Sequence, residues 1–349
     1  MLPRQARFGG ADAAMREVDV RLSSDIEIAG TVCLPEDATA VAPVPAVLLL
    51  GGTGGDTRDG DMAPERTPGI HNPPKRGLLR RIAHELAQHG IASLRCDKRG
   101  CGESGGTADE SNYDTDLVDN TAAFRFLQRF EGIDPDRVAV AGHSAGALNA
   151  CLLCRDIPEV VAAGMLGALY GPIDDLVRFN WPRIATFWDQ FSDEQRAWLK
   201  RERPREVVGA FQTEAFIQAA LRGDETVELE AQGIRMTFNT VRFKQDYDRP
   251  CSEEFRHVRC PALVLHGGSD MNVKVEDALG TYQALKDAGN EDVDLVILPG
   301  LDHSYQPVSH DPLERVWDRV TLNTFGRPVS PLALRAISAW AERVLVRGV

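Results

Sequence analysis

Ser144 stands at the centre of Gly142-His143-Ser144-Ala145-Gly146, directly after the apolar run Val138-Ala139-Val140-Ala141 and ahead of a helix-like stretch from Ala147 to Leu153. A serine held on a sharp strand-to-helix turn exposes its hydroxyl, and so tight a turn demands Gly or small residues beside it. The hydroxyl is a weak nucleophile until a base takes its proton, so the chemistry needs an imidazole and a group that orients it. Both lie downstream, each just past a strand-like run. Pro261 to His266 leads through Gly267-Gly268-Ser269 into Asp270, and Val293 to Leu298 leads through Pro299-Gly300-Leu301-Asp302 into His303. In this scheme Ser144 attacks an acyl carbon, His303 carries the proton, and Asp270 fixes the imidazole tautomer without being protonated.

Stabilising the oxyanion needs backbone donors. Pro45 to Leu50 reads as an apolar strand, and Gly51-Gly52-Thr53-Gly54-Gly55 follows it. The N–H groups of Thr53 and Ala145 are the expected pair. Plainer readings exist: Ser144 as a small residue in a tight turn, His303 as a solvated loop histidine. Asp174 and Asp175, after the strand-like Val160–Tyr170, rival Asp270 as the acid. Asp302 reads as a loop-shaping residue.

Other motifs mislead. Gly100-Cys101-Gly102-Glu103-Ser104-Gly105 matches a dinucleotide fingerprint. However, Asp97-Lys98-Arg99 separates it from its strand, and the polar loop Thr107–Asp114 separates it from the next helix, so no helix N-terminus docks a pyrophosphate. It reads as a structural loop held by Asp97 and Arg99. Asp56, Asp59 and Asp61 lack the spacing of a calcium loop and read as solvating a rim. Cys151 and Cys154 match C-x-x-C but fall inside a helix, which fits buried thiols. No cofactor and no metal site is expected.

The elements that must position these residues follow a pattern. Glu17–Leu22 and Ile26–Val32 alternate apolar and polar residues around Ser23-Ser24-Asp25, a hairpin at one sheet edge. Then come the strand Pro45–Leu50, a long loop Gly51–Pro74, a helix Leu78–His89 stopped by Gly90, and the strand Ile91–Cys96. A helix over about Asp116–Phe130 precedes the strand of the serine turn. Such alternation predicts a mostly parallel, doubly wound α/β sheet. Between Gly171 and His257 the pattern turns mainly helical, with a capping box at Ser192 and Gln195. This stretch reads as a lid, residues 171–257, inserted into a core of residues 1–170 and 258–349. Trp181, Trp188 and Trp198 lie in it with several Phe, either lining an apolar pocket or forming the lid's own core. Pro331–Leu345 supplies a closing helix.

Composition narrows the class. The 349 residues, 43% of them hydrophobic, suffice for one large α/β domain with an insertion. A formal charge of −13 argues against nucleic acid and anionic membrane as partners and mildly favours neutral or cationic small molecules. No secretory signal and no apolar stretch of membrane-spanning length is read. Seven scattered cysteines fit a reducing compartment, so a cytoplasmic location is expected.

From about Val18 to Val346 the chain resembles the α/β-hydrolase superfamily. The glycine-rich turn running into Asp56-Thr57-Arg58-Asp59-Gly60, the segment Asp97 to Ser104, Gly142–Gly146 and Gly300-Leu301-Asp302-His303 are similar to bacterial carboxylesterases related to the prolyl-oligopeptidase and dienelactone-hydrolase branches. The resemblance implies cofactor-free hydrolysis through an acyl-serine, with the roles given above. There is no His-Gly-Gly-Gly of the hormone-sensitive-lipase branch, and Ser144 stands where dienelactone hydrolases carry cysteine. Expected is a serine esterase acting on a small molecule. Amide or peptide, thioester and C–C bond hydrolysis on the same three residues remain alternatives, as does a ligand-binding pseudo-hydrolase.

Overall fold

The structure, a computed structural model, describes residues 15–52, 57–63 and 74–346. β1 (Met15–Ser23) and β2 (Glu27–Pro35) form the expected antiparallel hairpin. β3 (Val44–Leu50), α1 (Leu78–Gln88), β4 (Ala92–Cys96), α2 (Tyr113–Gln128), β5 (Ile133–His143), α3 (Ala145–Asp156) and β6 (Ala163–Leu166) follow in turn. After an insertion the alternation resumes with β9 (Ala262–Gly267) and β10 (Val293–Leu298), giving one eight-stranded sheet in the order β1-β2-β4-β3-β5-β6-β9-β10. All its pairings from β4 to β10 are parallel. Gly90 takes φ 74° just past α1, the left-handed turn for which glycine is suited. α2 starts earlier than expected because Asn112 caps it, accepting from the N–H of Asp114 and Thr115 at 2.9 and 3.1 Å.

The central strands are continuous apolar runs because helices cover both faces. In β3, Ala46, Leu48 and Leu50 meet Phe124 and Leu127 of α2 and Leu148 and Leu152 of α3 in one core. Val47 and Leu49 point the other way, into a second core with Leu79 and Ile82 of α1. Burial on both faces fixes the register, since a one-residue slip would exchange the two sets.

The insertion after β6 comprises α4 (Ile173–Asn180), α5 (Arg183–Thr186), α6 (Asp193–Glu202), α7 (Pro204–Phe211), α8 (Thr213–Arg222), β7 (Thr226–Ala231), β8 (Ile234–Asn239), α9 (Val241–Asp248) and α10 (Cys251–Glu254). The capping box is present, with Gln195 N–H donating to Ser192 Oγ at 3.2 Å. The β7–β8 hairpin departs from the helical expectation; Gln232 and Gly233 turn it at φ 54° and 75°, as a two-residue turn with both φ positive requires. Trp181, Phe216 and Phe238 pack on one another, so these aromatics build the insertion's own core. The chain returns through β9 (Ala262–Gly267), α11 (Val275–Asp287), β10 (Val293–Leu298), α12 (Pro312–Val320) and α13 (Pro331–Ala341). Cys33, Cys96, Cys151, Cys154, Cys251 and Cys260 are free thiols. Among the described residues no helix is long and apolar enough to cross a membrane.

Candidate active site

Ser144 sits between the end of β5 and the start of α3 with φ 57° and ψ −123°, a left-handed conformation that a side chain adopts only under strain. The glycines around it are dictated by contact. A Cβ on Gly142 would stand 1.9 Å from the Gly146 carbonyl oxygen, and one on Gly146 would stand 2.4 Å from that of Leu50. Backbone cannot yield at such distances, so Gly142→Ala should destabilise the fold by about 3 kcal/mol or more, read by chemical denaturation. An unchanged midpoint would mean that the turn is looser than it is here.

Asp270 lies just beyond β9 and His303 just beyond β10, on adjacent parallel strands. Their side chains meet, with His303 Nδ1 2.6 Å from Asp270 Oδ2. Asp270 Oδ1 accepts from the N–H of Asn272 and Val273 at 2.6 and 3.0 Å, so both carboxylate oxygens are engaged. Burial alone would raise this carboxyl, but the charge of His303 and its hydrogen bond prevail, and the group sits below the ordinary carboxylate value. With Nδ1 committed to Asp270, Nε2 is the imidazole nitrogen left to exchange protons.

Ser144 joins this pair through its neighbours. Its N–H donates to Leu166 O at 2.8 Å. The next residue, Gly167, lies under the histidine: a Cβ there would be 3.2 Å from His303 Cε1. His143, beside the serine, places its Nε2 2.8 Å from the His303 carbonyl oxygen and its ring centroid 4.6 Å from that of His303. Among the described residues Ser144 Oγ makes no hydrogen bond of its own. Catalytic contacts commonly tighten only once substrate is present.

In the sequence His266 is only the last residue of a strand-like run. It is fully buried, with Nε2 3.1 Å from Val273 O and 3.4 Å from Asp270 Oδ2, the same oxygen that faces His303. Burial lowers its pKa, partly opposed by Asp270. The folded protein therefore resists protonating His266, whereas the unfolded chain takes the proton near pH 6.5. The resulting penalty is absent above that pH and grows as pH falls below it, by about 1.4 kcal/mol per unit until the folded value is reached. His266→Gln should flatten this part of the stability profile in denaturation series between pH 7.5 and 5; an unchanged slope would contradict it.

The remaining candidates separate cleanly. Ala145 opens α3, where helix geometry leaves the first N–H groups without intrahelical partners. Thr53, the other expected oxyanion donor, lies outside the described residues, as does Asp56. Asp174 pairs with Arg178, and Asp175 lies 3.6 Å from Lys274, so neither rival acid is paired with His303. Asp302 shapes its loop by accepting from Ser304 and Gln306 N–H at 2.9 and 2.8 Å. Asp59 and Asp61 do not simply solvate a rim: Asp59 holds Arg95 at 2.9 Å and Asp61 accepts from Gly77 N–H at 2.8 Å. Asp97 binds Arg58 and the Glu103 N–H, and Arg99 binds Asp119, so the glycine-rich loop that follows them is a braced turn. Cys151 is buried within α3.

A hollow of about 240 Å³ opens at His303, with Ser269 and Met271 on one wall and Arg315 and Arg319 of α12 on another. Arg203, from the insertion, also lines it and is held by the Val320 carbonyl at 2.8 Å.

The sequence profile of the family described as serine aminopeptidase, S33, matches residues 75–306. No curated protein matches this chain in sequence. Among solved structures, the esterase PF2001 of Pyrococcus furiosus is similar over 94% of this chain and 91% of its own, at 14% identity and a TM-score of 0.53. Est1E of Butyrivibrio proteoclasticus, solved with ferulic acid bound, is similar over 88% of this chain and 100% of its own, at 16% identity and a TM-score of 0.53. DcsB, in complex with a substrate analogue, shares 12% identity over 94% of this chain and 99% of its own, with a TM-score of 0.55. At such identities the likeness is one of fold, that of the α/β hydrolases.

Proposed function

This chain belongs to the serine aminopeptidase S33 family of α/β hydrolases, and on that premise we propose that it cleaves carboxylic esters of small molecules through an acyl-serine formed on Ser144. The observation that carries the proposal is the 2.6 Å contact between His303 Nδ1 and Asp270, both just beyond strand ends, with the strained Ser144 turn alongside. Ser144 Oγ adds to the ester carbonyl carbon while its proton passes to His303 Nε2. As the tetrahedral species collapses, the C–O bond breaks and the alcohol leaves with that proton. Water, deprotonated by the same imidazole, then releases the acid and frees Ser144. Asp270 stays ionised and holds the imidazolium. Ala145 N–H and Thr53 N–H are the proposed oxyanion donors. Residues 171–257 are the proposed lid over a core of residues 1–170 and 258–349.

The family's description favours a second reading, aminopeptidase. Its substrates carry an ammonium group, and the guanidinium groups of Arg315 and Arg319 in the hollow beside His303 would repel one. The esterase fold relatives favour the ester. A panel of matched esters, thioesters, aminoacyl amides and β-diketones separates these readings. Ester turnover should exceed aminoacyl-amide turnover by orders of magnitude, and the reverse order would overturn the ester assignment.

A further inference from the structure

We propose that the hollow beside His303 binds an anionic end of the substrate, so that the ester turned over carries a free carboxylate or a comparable oxyanion. The proposal rests on the serine-hydrolase reading for where the ester sits; the anion site itself stands on the arginines.

Arg315 and Arg319 are four residues apart on α12 and so share one helix face. Arg183 comes from α5, in the insertion. Three hollows, of about 240, 290 and 320 Å³, meet at these side chains, and each arginine lines two of the three. Among the described residues none of the three makes an ion pair or a side-chain hydrogen bond. The Nε atoms of Arg183 and Arg315 are buried without a partner, and Arg183 rests instead on the Phe179 ring at 4.2 Å. The mutual repulsion is tangible: burial first, then Arg319 and Arg315, hold Arg183 down at about 10, with Asp270 partly compensating.

Nearby carboxylates do not complete the pairs. Asp270 is engaged by His303 and two backbone N–H groups, and Asp302 by two N–H groups of its own loop. Glu206 lines two of the hollows with Arg319 yet forms no ion pair with it. Elsewhere this acidic chain pairs its arginines, as at Arg58, Arg95 and Arg99. Gathering cations without counterions is destabilising, and a guanidinium fork matches carboxylate or phosphate geometry. The overall charge of −13 does not describe this hollow, which Arg203, Arg315 and Arg319 line together with Glu206 and Asp302. A hollow of about 240 Å³ has room for a short chain ending in an oxyanion.

The test pairs binding with kinetics in the wild type, Arg319→Met and Arg315→Met/Arg319→Met. In thermal melting, glutarate should raise the wild-type midpoint and lose that effect in the double variant, while dimethyl glutarate does nothing. The unliganded variants should melt higher than wild type, since they lose an unpaired cation; a purely structural arginine would give the opposite shift. Inorganic phosphate protecting better than glutarate would assign the anion as phosphate. In pH-stat assays, monomethyl glutarate should have a kcat/KM at least about tenfold above dimethyl glutarate, a margin that Arg319→Met erases. If both esters are hydrolysed alike in all three proteins and glutarate protects none, the anion site is refuted while the hydrolase reading stands. If neither ester is hydrolysed but glutarate protects only the wild type, the site stands and the ester reading falls.

Discussion

Ser144→Ala should reduce ester turnover by about 10⁵-fold or more, the scale at which removing the nucleophile disables other serine hydrolases. The substitution deletes the atom that forms the acyl bond while leaving the His303–Asp270 contact in place. KM for whatever turnover remains should move little, and folding should be unaffected, because alanine meets the same φ of 57° as serine. Ser144→Gly goes further. It should be equally inactive yet more stable than the wild type by about 1 kcal/mol, since glycine occupies this conformation without steric strain. Stability gained as activity disappears would identify the turn as strained for chemistry. Turnover retained in Ser144→Ala, after contaminating esterase is excluded, would end the assignment.

Asp270→Asn should lower kcat by about 10⁴-fold with little change in KM, by analogy with the same exchange in a serine protease. The cause is a wrong tautomer. Asp270 Oδ2 faces His303 Nδ1 at 2.6 Å, and an amide NH₂ placed there would force Nδ1 to accept and Nε2 to carry the proton. The base would then be blocked on the side facing Ser144. The amide oxygen can still accept from Asn272 and Val273 N–H, as Asp270 Oδ1 does, so the loop should hold its shape. Steady-state kinetics with a circular-dichroism melt distinguish lost chemistry from lost folding. A loss below tenfold would assign the orienting role to another group.

The sheet and the positions of Ser144, Asp270 and His303 were legible because each follows a strand-like apolar run, buried at the end of β5 and throughout β9 and half-buried in the edge strand β10. Local spacing then sufficed to place them, since each lies just past a strand end, after β5, β9 and β10. His266 escaped because its Leu265-His266-Gly267 context looks like the end of a strand, and only the return of the Asp270 loop reveals the contact. The β7–β8 hairpin was hidden although Val227, Leu229, Met236 and Phe238 alternate around Gly233, because the helical signals on either side of so short a hairpin are stronger. The arginine cluster was beyond reach of local pattern. Arg315 and Arg319 announce one helix face, but Arg183 is more than a hundred residues away, and nothing local shows that the insertion folds back to meet α12. Net charge pointed the other way, because it sums a surface and says nothing of one hollow.

If Ser144 is an activated nucleophile, it can be captured covalently. Treated with a fluorophosphonate, the wild-type protein should gain one adduct by intact mass, mapped to the peptide bearing Ser144, and His303→Ala should slow its formation by orders of magnitude. No adduct, or one on a different residue formed at the same rate without His303, would contradict the account.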